Sequence, residues 1–152
     1  MHLVTYLHFL HATEEALSAG YRTVSDGHVA DGDVHWTTAR FARQCTAHAQ
    51  ALAPVLERCA PADEPVPDRL HAQGLSSARN GPAGLLRDLL DLYQLTNLVD
   101  ITWTLIRQAA SAARDRDLIH LTQQYGEETG DQLDWLRMRM KAVAPQTLIV
   151  AP

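Results

Sequence analysis

Four residues that could ligate a metal fall near the middle of four apolar runs: Glu14, His48, Asp100 and Glu128. Two more, Cys45 and Asp131, stand three positions from His48 and Glu128, a spacing that puts each pair on one face of a helix. Carboxylate, imidazole and thiolate side chains are costly to bury without a partner, and they are also the protein's main ligands for transition metals. Dinuclear centres inside helical bundles take one Glu from each of two helices and a Glu-x-x-His pair from each of the other two. Here the pairs read Cys45-Thr46-Ala47-His48 and Glu128-Thr129-Gly130-Asp131, so the spacing is kept while Cys replaces Glu in one and Asp replaces His in the other. Three carboxylates around one histidine repel unless a cation or shared protons compensate. The expectation is one bound ion, held by Glu14, His48, Asp100 and Glu128, with Cys45 and Asp131 as secondary ligands. Iron, manganese or zinc suits these donors, and zinc gains if the thiolate binds. The alternative is a metal-free network of hydrogen bonds that includes Tyr93, Tyr125 and Gln132.

The elements that must position these residues are helices. Leu3, Leu7, Leu10, Glu14, Leu17, Tyr21, Val24 and His28 alternate spacings of four and three, the seam of a bundle helix. Asp31-Gly32-Asp33 reads as a turn, with Asp33 as the N-cap of a second helix. That helix repeats the spacing through Val34, Thr38, Phe41, Cys45, His48, Leu52, Val55 and Cys59, and its Pro54 predicts a kink, not an end. Residues 60–81, with three prolines and two glycines, form a long connection with one short turn expected at Arg69 to Gln73. Pro82 opens a third helix behind Asn80, with a stripe of Leu86, Leu89, Tyr93, Thr96, Asp100, Trp103, Arg107 and Ala110, its apolar face broadened by Leu85, Leu92, Val99 and Ile106. A tight turn is expected near Arg114 to Arg116, and a fourth helix follows through Leu118, Leu121, Tyr125, Glu128, Gln132 and Trp135. The tail over 144–152 cannot extend that helix past Pro145, and its Leu148-Ile149-Val150 is expected to lie back on the bundle or on a partner subunit.

Connection lengths set the topology of an all-α, single-domain four-helix bundle spanning 1–152. Short turns make the first two and the last two helices antiparallel, while the long connection can return the length of the bundle and leave the second and third parallel. In that arrangement Glu14 and His48 both lie 17 positions from the turn at residue 31, Asp100 lies 17 positions into the third helix, and Glu128 falls within about one turn of that level.

The segments HVADGDVHWTTARFARQCTAHAQALAPVLER, GPAGLLRDLLDLYQLTNLVDITWTLIRQAASAARDRDL and LDWLRMRMKAVAPQTLIV resemble ferritin-like proteins, and more closely a group of actinobacterial ferritin-like proteins. The resemblance covers most of the chain. It implies the fold, with one long crossover between the second and third helices, and a cytosolic placement. It carries over no ferroxidase activity, because the iron motif is matched only in part.

Composition narrows the rest. A net charge of −5 gives no electrostatic help toward nucleic acid. No apolar run approaches the ~20 residues needed to span a membrane. Cys45 and Cys59, 14 residues apart on one helix, are about 21 Å apart and cannot pair, which suits a reducing, cytoplasmic setting. No nucleophile elbow, phosphate loop, zincin motif or Cys-x-x-Cys pair is present, which leaves hydrolase, kinase and disulfide-exchange readings without support. His8 and His11 read as surface, and His28, Asp31, Asp33 and His35 as caps and loop around the first turn. Trp36 and the apolar tail are candidates for a homodimer interface.

Overall fold

The computed structural model describes residues 2–59 and 74–150. The described residues form four α-helices, α1 (His2–Gly27), α2 (Gly32–Arg58), α3 (Gly81–Ala113) and α4 (Arg116–Pro145), followed by a π-helical turn, Gln146–Val150. There is no strand among the described residues. Residues at alternating spacings of three and four come to one side of a helix and exchange water for one another. Accordingly Leu7, Leu10, Glu14, Leu17, Tyr21 and Val24 of α1 are buried against Val34, Thr38, Phe41, Cys45, His48, Leu52 and Val55 of α2. The second helix runs through Pro54 to Arg58, with the proline exposed.

Cross-helix pairs fix the directions. Between α1 and α2, Ser25 meets His35, Ser18 meets Thr46 and Glu14 meets His48, an antiparallel pairing. Between α1 and α3, His28 meets Asp88, Tyr21 meets Thr96 and Glu14 meets Trp103, again antiparallel. Both α2 and α3 oppose α1, so they point the same way. Residues 60–73, including the turn expected at Arg69 to Gln73, lie outside the described residues. Beyond them Gly74 sits against Ala16, Leu75 against Gly20 and Ala78 against Gly27, so the connection descends along α1 toward its C-terminal end. Gly20 is buried beneath Leu92 and Leu75, where an added Cβ would meet both at ordinary contact distance.

The turn between α3 and α4 falls where the sequence places it. Arg114 takes a left-handed conformation (φ 56°), and its N–H donates to Ser111 O at 3.2 Å. Asp115 then caps α4, its Oδ1 accepting from Leu118 N at 3.1 Å. A side-chain N-cap contributes about 1 kcal/mol. Asp115→Ala is therefore expected to lower stability by about that amount in chemical denaturation; an unchanged midpoint would show that the cap contributes nothing.

One expectation is corrected. Asp33 is not the N-cap of α2: the helix begins at Gly32 behind Asp31, and Asp33 lies in its first turn. Its carboxylate instead accepts from Arg139 Nε of α4 at 2.6 Å, with Asp31 3.9 Å from the same guanidinium, so a cross-helix ion pair uses the charge. The turn of the apolar tail packs on α4 and α3, but not through its large side chains. In the π-helical turn Thr147 is buried, whereas Leu148, Ile149 and Val150 are exposed.

Candidate metal centre

At mid-bundle one side chain from each helix enters a single polar layer. Glu14 of α1 and His48 of α2 are fully buried on their seams, Trp103 of α3 is almost so, and Glu128 reaches in from the edge of α4. Glu14 Oε1 is 3.0 Å from His48 Nδ1 and accepts from Trp103 Nε1–H at 2.7 Å. The other imidazole nitrogen, Nε2, is 2.9 Å from Glu128 Oε2. Tyr125 tilts over the imidazole at 4.5 Å between ring centroids, and Trp103 meets it edge-on at 6.1 Å. The second oxygen of Glu14, Oε2, is buried and has no hydrogen-bond partner. Cys45, one turn before His48, is 3.8 Å from both polar atoms of Gln132, so its thiol donates to Oε1 while Gln132 Nε2–H donates to Gln44 at 3.1 Å.

The electrostatics follow from this geometry. Burial opposes charge on His48, yet the hydrogen bond and charge of Glu14, then those of Glu128, outweigh it and raise the imidazole's pKa. The ring can thus stand as an imidazolium bridging two carboxylates. Burial, followed by the charge of Glu14, pushes the Cys45 thiol well up, so it is protonated at neutral pH. Burial likewise raises Tyr21, whose neutral phenol shares a 2.9 Å hydrogen bond with Thr96. One ligand atom each from Glu14, Cys45 and His48 lies within 4.8 Å of the others, so these three buried residues form a group that can hold a metal ion.

The structure thus brings Glu14, Cys45, His48 and Glu128 together. It does not bring Asp100 or Asp131 to them. Asp131 is exposed, and Asp100 is half-buried in a groove of about 200 Å³ with Arg107, Thr122, Gln123 and Glu127. The reason is a rotation of α3 from the expected stripe by about half a residue, roughly 50°, toward Leu85, Leu92, Val99 and Ile106. Its buried seam is Leu85, Leu89, Leu92, Thr96, Val99, Trp103, Ile106 and Ala110, which carries Asp100 to the flank and puts Trp103 opposite Glu14. Trp103 reads from sequence as core; the signal that it is more is its indole N–H, which needs an acceptor when buried. Tyr125 and Gln132 join the layer, whereas Tyr93 turns outward to accept from Arg137 at 2.6 Å.

The same rotation buries Asp88, which the sequence reading passed over. Its Oδ2 is 2.8 Å from His28 Nε2 and accepts from Arg79 N at 2.8 Å, and its Oδ1 accepts from Arg79 Nη1 at 2.8 Å. His28, in the turn after α1, is therefore not solvated but part of a second buried cluster, which ties the end of the long connection to α1 and α3.

Burial raises the Asp100 carboxyl pKa above its usual value. A carboxyl raised on folding stabilises the fold below its unfolded pKa and loses that contribution as pH rises through the folded value. Asp100→Asn is expected to raise the melting temperature slightly at neutral pH and to leave it unchanged below the ordinary carboxylate range; a lower melting temperature at neutral pH would contradict this. In comparisons with known proteins, no family model, curated protein or solved structure matches this chain.

Proposed function

We propose that this is a cytoplasmic ferritin-like protein whose mid-bundle layer binds one transition-metal ion through Glu14, Cys45 and His48. The single observation that carries the reading is Glu14 Oε2, a buried carboxylate oxygen without a donor beside a thiol and an imidazole. A buried anionic oxygen left without a partner is expensive, and a cation is the partner that a thiolate and an imidazole would share. Glu128 then acts as the outer partner of the ligand histidine. By accepting from Nε2–H it fixes the tautomer that offers Nδ1, as carboxylate–histidine pairs do at metal centres. Three donors of sulfur, nitrogen and oxygen type suit zinc better than iron or manganese. The set is short of a dinuclear centre, which would need a second histidine. The antiparallel α1–α2 and α1–α3 pairings, with α2 and α3 parallel, support the ferritin-like assignment. Bound metal would polarise a fourth ligand as a Lewis acid.

The test is the metal content of protein purified without an affinity tag, followed by cobalt titration. Near one equivalent is expected for the wild type, with a thiolate-to-cobalt absorption band. Cys45→Ser should lose the band while keeping weaker binding, and His48→Ala should lose both. Absence of retained metal, with no gain in melting temperature on adding zinc, iron or manganese, would sink the reading, because a ligand that binds only the folded state must stabilise it.

A second reading has its own observation. Both nitrogens of His48 already have carboxylate partners, at 3.0 and 2.9 Å, so an imidazolium can stand where the metal would. On that reading the bundle has lost its metal and serves as a binding or scaffold module, and the same metal analysis separates the two.

A further inference from the structure

The four helices differ in what they show to solvent. Exposed positions include Glu15 and Asp26 on α1, Asp33 and Glu57 on α2, and Asp117, Glu127, Asp131 and Asp134 on α4. On α3 no fully exposed residue is acidic; Asp91 and Asp100 are half-buried on its two flanks. Its outer stripe is instead Leu90, Gln94, Asn97, Ile101, Leu105 and Gln108, recurring every three or four residues. Leu90, Ile101 and Leu105 are 47%, 47% and 49% exposed. Arg87 is exposed at the N-terminal end of this stripe; beyond it the face carries large aliphatic side chains and amides without charge, the composition of an interface core and not of a solvated helix.

We infer that this face of α3 pairs with α3 of a second copy in an antiparallel, two-fold dimer. The occupant is argued from charge, shape and area. Each copy carries a net charge of −5, and on this face two copies can meet without bringing exposed carboxylates together. Beside Leu105 the edge of the face opens into an apolar groove of about 280 Å³, lined by Leu3, Tyr6, Leu105, Ile106 and Ala109. A two-fold axis crossing α3 between Asn97 and Leu98 sets Leu90 of each copy at the level of Leu105 of the other. The exposed leucine then enters the groove twice, once from each side. The same register sets Ile101 at the level of Gln94 and Leu98 at that of Asn97. Such reciprocity, in which one residue meets a second and that second meets the first, is what an isologous interface demands. The 33 residues of α3 extend about 50 Å, and a strip of one helix width, about 10–12 Å, covers ~500–600 Å² per copy. Two copies reach the ~1,000 Å² needed by a specific interface. The inference is independent of the metal: Glu14, Cys45 and His48 lie on the inner side of the bundle.

The test is the molar mass of the full chain by sedimentation equilibrium. The wild type is expected to be dimeric. Leu90→Glu and, separately, Leu105→Glu are expected to be monomeric, with unchanged helical circular dichroism. Two further variants test the register: Leu90→Cys mixed with Leu105→Cys should cross-link to each other more readily than either does to itself. A monomeric wild type overturns the inference, as does a dimer that survives both glutamates. Preferential self-cross-linking of either cysteine variant overturns the antiparallel register.

Discussion

Replacing Glu14 with alanine is expected to destabilise the metal-free protein by about 3–5 kcal/mol, the cost of breaking a buried pair and leaving its partners unpaired. The expectation rests on what the carboxylate holds. Its Oε1 accepts from Trp103 Nε1–H at 2.7 Å and lies 3.0 Å from His48 Nδ1, and Glu14 and His48 are both fully buried. Truncation leaves the buried indole N–H and one nitrogen of the buried imidazole without their acceptor. Glu14→Gln should cost less, because the amide oxygen still accepts from Trp103 while the charge that favours the imidazolium is gone. The triple replacement Glu14→Leu, His48→Leu, Trp103→Phe should recover most of the loss, since well-packed apolar groups often match or exceed a buried ion pair. Equilibrium urea denaturation of the four proteins measures all of this. If Glu14→Ala costs under ~1 kcal/mol, the layer is not the desolvated pair that the geometry describes. Recovery in the triple variant would also mean that the polar layer is kept for something other than stability, which is what a metal centre requires.

Asp88→Ala is expected to destabilise by about 3 kcal/mol, through a different mechanism. Asp88 is fully buried, and its carboxylate meets His28 Nε2, Arg79 N and Arg79 Nη1, each at 2.8 Å. Arg79 is 43% exposed and can find water when the acceptor is lost, whereas the His28 side chain is 5% exposed and cannot. The loss therefore falls mainly on His28 and on the backbone of the incoming connection. Asp88 is 15 residues from Trp103 along α3, about 22 Å, so metal content should not change. That separation makes the variant a control for the first experiment. A protein that is destabilised by Asp88→Ala yet keeps its metal shows that loss of metal in a layer variant comes from the ligands and not from a weakened fold.

How much of this was legible in the sequence depends on how narrow each apolar stripe is. On α1 and α2 the apolar residues keep to one seam, so position and rotation could both be read, and Glu14, Cys45 and His48 are buried where the spacing puts them. The turn at Arg114 to Arg116 could be read as well, since Asp115 is one of two residues there able to cap a helix. On α3 the aliphatic residues nearly encircle the helix. Leu85 and Leu86, Leu89 and Leu90, Leu92, Leu95, Leu98, Val99, Ile101, Leu105 and Ile106 fit more than one stripe. Periodicity then establishes the helix but leaves its rotation open by about half a residue, roughly 50°. On α4 the ambiguity is the same in kind: the buried residues Leu118, Thr122, Thr129, Gln132 and Leu136 run beside Glu128, which stays at the edge with 34% of its side chain exposed.

The sequence by itself determined four helices, their ends to within a residue or two, the length of the connection, and the polar residues of the two well-striped helices. Tertiary structure decided which side of α3 faces inward. That one rotation moved Asp100 out of the layer, left Trp103 in it as a hydrogen-bond donor to Glu14, and buried Asp88 against His28 at the far end. The physical reason is that a helix's own pattern says only which residues prefer burial. When apolar side chains lie on every side, its rotation is fixed by the groove into which it packs, here the one beside Gly20 of α1, and by the hydrogen bonds that its polar residues find there.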